Sequence, residues 1–275
     1  MAFRVIFTGM LVAVIVGGCE TIVQPEEMTY DRKLVISAVL ESGKSIDQIL
    51  IGKTLPPNQP YIPANAAVTD ADGSISVDGT AHALIFDGYY QPYGSVRGFG
   101  VYRTQFFFAE PGKVYTIDVK AEGLHATATT FVPAPAVVDS LVLSSVTVSG
   151  TVQYLLDGQI VQQPGVVYSP AYSYAPSADF AVREPVFGVG KSSPGYHMRF
   201  RIPVYGLQPS LHDSLTAVIT SYDESYLDYY ATRFNGNATT DDLGQSLSTV
   251  KWNVQGDGIG LFIGATITKR SLNVP

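Results

Sequence analysis

Between residues 34 and 121 apolar side chains return at every second position, in Leu34-x-Ile36-x-Ala38, Ile49-x-Ile51, Ile75-x-Val77 and Tyr115-x-Ile117-x-Val119-x-Ala121. A period of two sends successive side chains to opposite faces of an extended backbone, so each run is a strand with one face turned to a core. Turn residues separate these runs. Asp70-Ala71-Asp72-Gly73, Glu110-Pro111-Gly112-Lys113 and Glu122-Gly123 offer the positive or fixed φ that tight turns require. The first of them lacks the third acid that a calcium loop would need before its glycine.

The pattern resumes after residue 139, with strands expected at 140–148, 197–204 and 215–220. Pro133-Ala134-Pro135 interrupts it, because proline has no amide to donate to a ladder. One helix is signalled near residues 222–234. Ser221 and Glu224 have capping-box spacing, and Tyr222, Tyr226, Tyr229 and Tyr230 form a stripe expected to pack the helix on a sheet. In Gly256-x-Gly258-x-Gly260-x-Phe262-x-Gly264 one strand face is almost bare, inviting close approach by the tyrosine helix or the other domain. The fold expected is mainly β: an immunoglobulin-like β-sandwich over residues 33–135, then a second β-sandwich-like domain over 136–275 carrying the one amphipathic helix.

The amino end has a different character. Residues 5–16 are almost wholly apolar, follow the cation Arg4 and end in Val16-Gly17-Gly18-Cys19. Twelve helical residues rise only about 18 Å against a bilayer core of about 30 Å, so a signal segment is expected over residues 1–18 rather than a span. Small residues before the only cysteine of the chain are similar to a bacterial lipobox, with cleavage between Gly18 and Cys19 and lipid on the Cys19 sulfur. A disulfide framework is excluded by that count of one. Residues 19–32 read as a tether, and the 14 steps from Cys19 to Lys33 reach roughly 20 Å if flexible and at most about 48 Å if extended. Glu20, Glu26 and Glu27 suit a solvated linker and also resemble, loosely, the signal that sends lipoproteins to the outer surface in Bacteroidota.

No catalytic constellation emerges. His82, His125, His197 and His212 stand singly, with no second thiol for a metal site. Gly190-Lys191-Ser192 lacks the upstream glycine of a phosphate loop, since Pro185 stands there, and Gly256-Asp257-Gly258-Ile259-Gly260 has the wrong spacing for a dinucleotide turn. A glycosidase remains open only through pairs such as Asp241-Asp242. The formal charge of −7 disfavours nucleic acid, which needs a basic footprint. No cofactor or metal is expected, and the chain reads as a non-enzyme. Aromatic residues in glycine- and proline-rich segments are the remaining candidates for contact with a ligand or partner. They are Tyr89, Tyr90 and Tyr93 within residues 86–102, and Tyr168, Tyr172 and Tyr174 within an irregular stretch expected over 153–185.

These features in this order resemble a known family. The lipobox, Leu34-Val35-x-Ser37-Ala38, Glu110-Pro111-Gly112-Lys113-x-Tyr115, Val132-Pro133-Ala134-Pro135, Ser225-Tyr226-x-x-Tyr229-Tyr230 and Asn253-Val254-x-Gly256-x-Gly258-x-Gly260-x-Phe262 look like the domain of unknown function 4249 family, Bacteroidota outer-membrane lipoproteins encoded beside TonB-dependent receptors. The departure lies at Ser192-Ser193-Pro194-Gly195-Tyr196-His197, where the family tends to have an acid before its proline and paired tyrosines. The resemblance implies a lipid-anchored outer-membrane protein that is an accessory or ligand-binding partner of such a receptor in nutrient uptake, with no family-wide catalytic residue. The alternative is a structural or adhesive surface sandwich without a transporter.

Overall fold

The computed structural model describes residues 30–174, 182–183, 196–208, 212–233 and 250–274. In chain order the elements are β1 (Leu34–Glu41), β2 (Ile49–Lys53), α1 (Pro63–Ala66), β3 (Asp72–Val77), β4 (Thr80–Ala83), β5 (Ile85–Tyr89), β6 (Gly100–Arg103), β7 (Val114–Ala121) and β8 (Leu124–Phe131). There follow β9 (Val137–Val148), β10 (Thr151–Val161), β11 (Val166–Ser173), β12 (Val182–Arg183), β13 (His197–Val204), β14 (Ser214–Asp223), α2 (Ser225–Arg233), β15 (Gln255–Gly256) and β16 (Gly258–Asn273). The protein is mainly β and sandwich-like, as its periodicity requires.

One eight-stranded sheet, in the order β12-β11-β14-β16-β1-β2-β6-β5, runs through the whole compact unit Arg32–Pro275. Two smaller sheets, β15-β8-β7-β3-β4 and β13-β10-β9, complete two sandwiches. The 16-residue β16 joins them: its first half pairs in parallel with β1, from Gly258 beside Leu34 to Ala265 beside Glu41, and its second half pairs antiparallel with β14. Leu34, Ile36, Phe262, Ile75, Ile117 and Val119 meet in the first core. Leu156, Phe200, Ile202, Tyr168, Leu215 and Ile219 meet in the second. Thus Val254 and Phe262, from the carboxy-terminal part of the sequence, complete the amino-terminal core.

Each sandwich contains the same local device. The Tyr115 hydroxyl accepts a hydrogen bond from the Glu110 amide (2.7 Å), and the Tyr168 hydroxyl accepts one from the Gln163 amide (3.0 Å), each five residues upstream. A tyrosine tying the start of a strand to the preceding corner is a recurrent immunoglobulin-fold feature.

The junction between the cores is hydrogen-bonded rather than loose. Val132 and Pro133 are buried, Thr266 Oγ1 donates to the Pro133 carbonyl, and the Ala136 amide donates to Thr268 Oγ1 (2.9 Å). Beside it the 5 % exposed Asp223 accepts from Thr130 Oγ1 (2.8 Å) and the Phe131 amide (3.0 Å) through one carboxylate oxygen. Its other oxygen takes the amide (2.9 Å) and hydroxyl (2.8 Å) of Ser225. Asp223 therefore caps α2, a role the sequence pattern assigns to Ser221. Ser221 instead lies inside β14, fully buried, where it cannot reach the helix start.

The bare face of β16 is covered by the other domain, one of the two elements expected there, and not by the tyrosine helix. A Cβ on Gly264 would stand 2.0 Å from the Phe131 carbonyl oxygen, and one on Gly258 would stand 2.5 Å from the Ala126 Cβ. Strand β8, from the opposite sheet of the first sandwich, fills the space at Gly264. The helix packs on the other face, where Tyr226 and Leu227 meet Tyr222, Ile263 and Ala265. Gly264→Ala is expected to cost about 3 kcal/mol by overpacking, because the obstructing atom is backbone. Urea unfolding checks this, and an unchanged midpoint would contradict the packing described.

Candidate functional site

The register of the large sheet brings several loops to the end where the chain enters the fold. Leu34 pairs with Lys53, Ile36 with Ile51, Ile51 with Gly100 and Gly100 with Tyr89. Chain entry at Arg32 and Lys33, the segment after β2 and the loop from β5 to β6 therefore share one end. Glu122, in the turn after β7, accepts ion pairs there from Arg32 (2.8 Å) and Lys53.

Two loops meet at that end. The Gly98 amide donates to the Tyr61 hydroxyl (3.1 Å), and the β5–β6 loop is closed by Tyr90 amide to Phe99 carbonyl (3.0 Å) and Arg97 amide to Tyr90 carbonyl (2.8 Å). A 3-10 turn at Pro92–Gly94 carries Tyr93 at φ 56°, a left-handed conformation that is uncommon for a bulky residue. That backbone turns the Tyr93 ring wholly into solvent (103 % exposed), and Tyr61 (65 %), Ile62 (50 %) and Tyr89 (44 %) are exposed at the same end. Tyr90 is half-buried. Behind them Phe86 packs edge-on against Tyr89 (6.0 Å) and Tyr102 (5.6 Å). The buried Tyr102 hydroxyl donates to the Val68 carbonyl and accepts from the Ala71 amide, anchoring the stack in the core. Sequence reasoning finds Tyr89, Tyr90 and Tyr93 but misses Tyr61 and Ile62. Their signal was Pro60-Tyr61-Ile62-Pro63, apolar residues bracketed by prolines on a segment with no strand period.

The second expected contact segment is corrected by the structure. Residues 153–173 are not irregular: they hold most of β10 and all of β11. Tyr168 and Tyr172 are buried in the second core at 0 % and 1 %, where the Tyr172 hydroxyl accepts from the Tyr205 amide (2.9 Å), so neither can present a ring to a partner. Tyr174 is half-buried, donates its hydroxyl to the Tyr205 carbonyl and rests against Tyr172 and His212. Every residue of β11 is buried, so no alternation was available to reveal a strand among the prolines.

Of the four tyrosines expected to form a helical stripe, Tyr222 belongs to β14, whose strand runs to Asp223, and Tyr226, Tyr229 and Tyr230 belong to α2, where they take part in packing. Tyr226 stacks on Tyr222 (4.3 Å), Tyr229 lies 5.4 Å from Trp252, and the Arg233 guanidinium covers both Tyr229 and Tyr230. Among the described residues no three His, Cys, Asp or Glu side chains gather as a metal site. His82 stacks on Phe107, and His125 pairs with Asp118. A depression of about 290 Å³ on the three-stranded sheet contains Asp157, Arg199 and Arg201, with Asp157 already engaged by Ser144 and Arg201. Gly18, Cys19, Gly190-Lys191-Ser192 and Asp241-Asp242 lie outside the described residues.

Among protein families, the model for a domain of unknown function (DUF4249) matches residues 20–271. Comparison with curated proteins gives no match.

The buried tyrosines carry a consequence for pH. Burial pushes the Tyr102, Tyr115 and Tyr168 hydroxyls above the usual tyrosine range and, with Tyr172 beside it, pushes Tyr174 up to about 12. The folded protein keeps these protons where an unfolded chain releases them, near pH 10. Their contribution to stability is complete below that pH and is lost as pH rises toward 12. Phenolate absorbance should therefore show a late step that coincides with loss of β circular dichroism. Complete ionisation near pH 10 in a still-folded protein would contradict it.

Proposed function

The chain belongs to this DUF4249 family, and from that premise we propose that it is a lipid-anchored, non-enzymatic outer-membrane protein that serves a TonB-dependent receptor as an accessory or ligand-binding partner in nutrient uptake. The observation that carries the proposal is where the tether joins the fold. A lipobox-like Cys19 precedes a short polar segment, and that segment joins the folded unit at the end bearing Tyr61, Tyr89, Tyr90 and Tyr93. Exposed rings at the end where the chain enters the fold suit contact with a membrane-embedded partner.

Several properties support a binding role. Tyrosine buries a large amphipathic surface at the cost of few rotors, so exposed rings on a hydrogen-bonded loop suit recognition. The acidic net charge disfavours nucleic acid. Acylation of Cys19 with two or more chains would hold the protein stably at the bilayer, where one chain would bind marginally.

Tagged protein extracted gently from the envelope should bring down a large β-barrel, and the double substitution Tyr89→Ala with Tyr90→Ala should lower the recovered barrel about tenfold, as loss of an aromatic contact does. Recovery of the wild-type chain alone after crosslinking, with nutrient uptake unchanged on deletion, would overturn the receptor role and favour the adhesive alternative.

A further inference from the structure

Resting on the Cys19 anchor proposed above, we infer that the tips carrying Tyr61, Ile62 and Tyr93 face the lipid headgroup layer, so that the protein stands with its first sandwich against the membrane and its second sandwich away from it. The tether limits the arrangement first. Cys19 and Lys33 are separated by 14 steps, roughly 20 Å for a flexible chain. The folded unit is longer than that: β16 alone, at 16 residues, runs about 50 Å. The end at Leu34 is thus the one that the proposed tether restrains.

The side chains at that end match the medium they would meet. Tyr93 is fully exposed and is held outward by its left-handed backbone, and Tyr61 and Ile62 are at least half exposed on the loop that touches Gly98. Only three strand spacings separate β1 from β5, about 14 Å, so these rings flank the point of chain entry. Tyrosine is favoured at membrane interfaces because its ring is apolar and its hydroxyl remains in the wet layer. The net charge of −7 provides no general attraction to anionic lipid, so the contact rests on the tether and the rings rather than on charge. Tyr89 and Tyr90 sit back toward the sheet and stay available to a protein at the same level.

The far end supplies an internal reference. The β9–β10 hairpin turns at Ser149 and Gly150 beyond Tyr154, whose partner Val204 lies next to Tyr205, itself bonded to Tyr172 near the distal part of β14. Ser149 is exposed there. Acylation of Cys19 would leave an introduced thiol as the only free one in the chain.

The test uses full-length acylated protein in phosphatidylethanolamine and phosphatidylcholine vesicles that contain a headgroup spin label. Variants Tyr93→Cys, Ile62→Cys and Ser149→Cys each carry a fluorophore. The inference expects at least threefold stronger quenching at 93 and 62 than at 149. Equal quenching in vesicle-bound protein overturns it and leaves the anchor intact. Quenching at 93 that is absent in lipid alone, with the probe buried only when a receptor barrel is added, overturns it in favour of a protein contact. Failure of the acylated protein to float with vesicles removes the anchor itself. Two tip positions guard against one substitution disturbing its own loop.

Discussion

A strand whose first half carries a single side chain, Phe262, on one face is the constraint on which this fold depends. β8 lies directly on it there, because Gly258 and Gly264 leave no room for a side chain between it and Ala126 and Phe131. That close approach brings β8 over β16 at the point where the chain leaves the first sandwich for the second. Asp223 then fixes the crossing. Its buried carboxylate binds β8 through Thr130 and Phe131 and caps α2 through Ser225, joining elements from both halves of the sequence. Hydrogen bonds to a buried charge are worth roughly 1.5–3 kcal/mol each, so this contact stabilises the junction beyond what either core supplies alone.

The shared strand gives the folded unit two distinct ends. At one, the chain enters beside loops whose aromatic side chains point outward; at the other, the β9–β10 hairpin turns in solvent.

The fold class was legible because half-buried strands alternate, and β1, β7 and β8 do so over eight residues each. β11 was not, since burial on both faces removes the alternation and its prolines mimic a loop. The helix was found from its tyrosine stripe, but its cap was misassigned: Ser221 has capping-box spacing, and only the structure shows it paired within β14 while Asp223 makes the bonds. The role of β16 in both cores was hidden, because parallel pairing with β1 joins residues more than two hundred positions apart. Of the candidate surface, Tyr89 and Tyr93 were visible as rings among turn residues. Tyr168 and Tyr172 looked the same by that criterion and proved to be core, since composition reports where rings occur and not which way a strand turns them.

Covalent lipid at the Cys19 sulfur underlies the proposed role, and intact mass analysis of the protein taken from its native membrane tests this most directly. The account predicts a mature chain that begins at Cys19 and carries diacylglycerol, with or without a further acyl chain, and no free thiol. A chain that retains residues before Cys19, or one that begins there with an unmodified thiol, would contradict it.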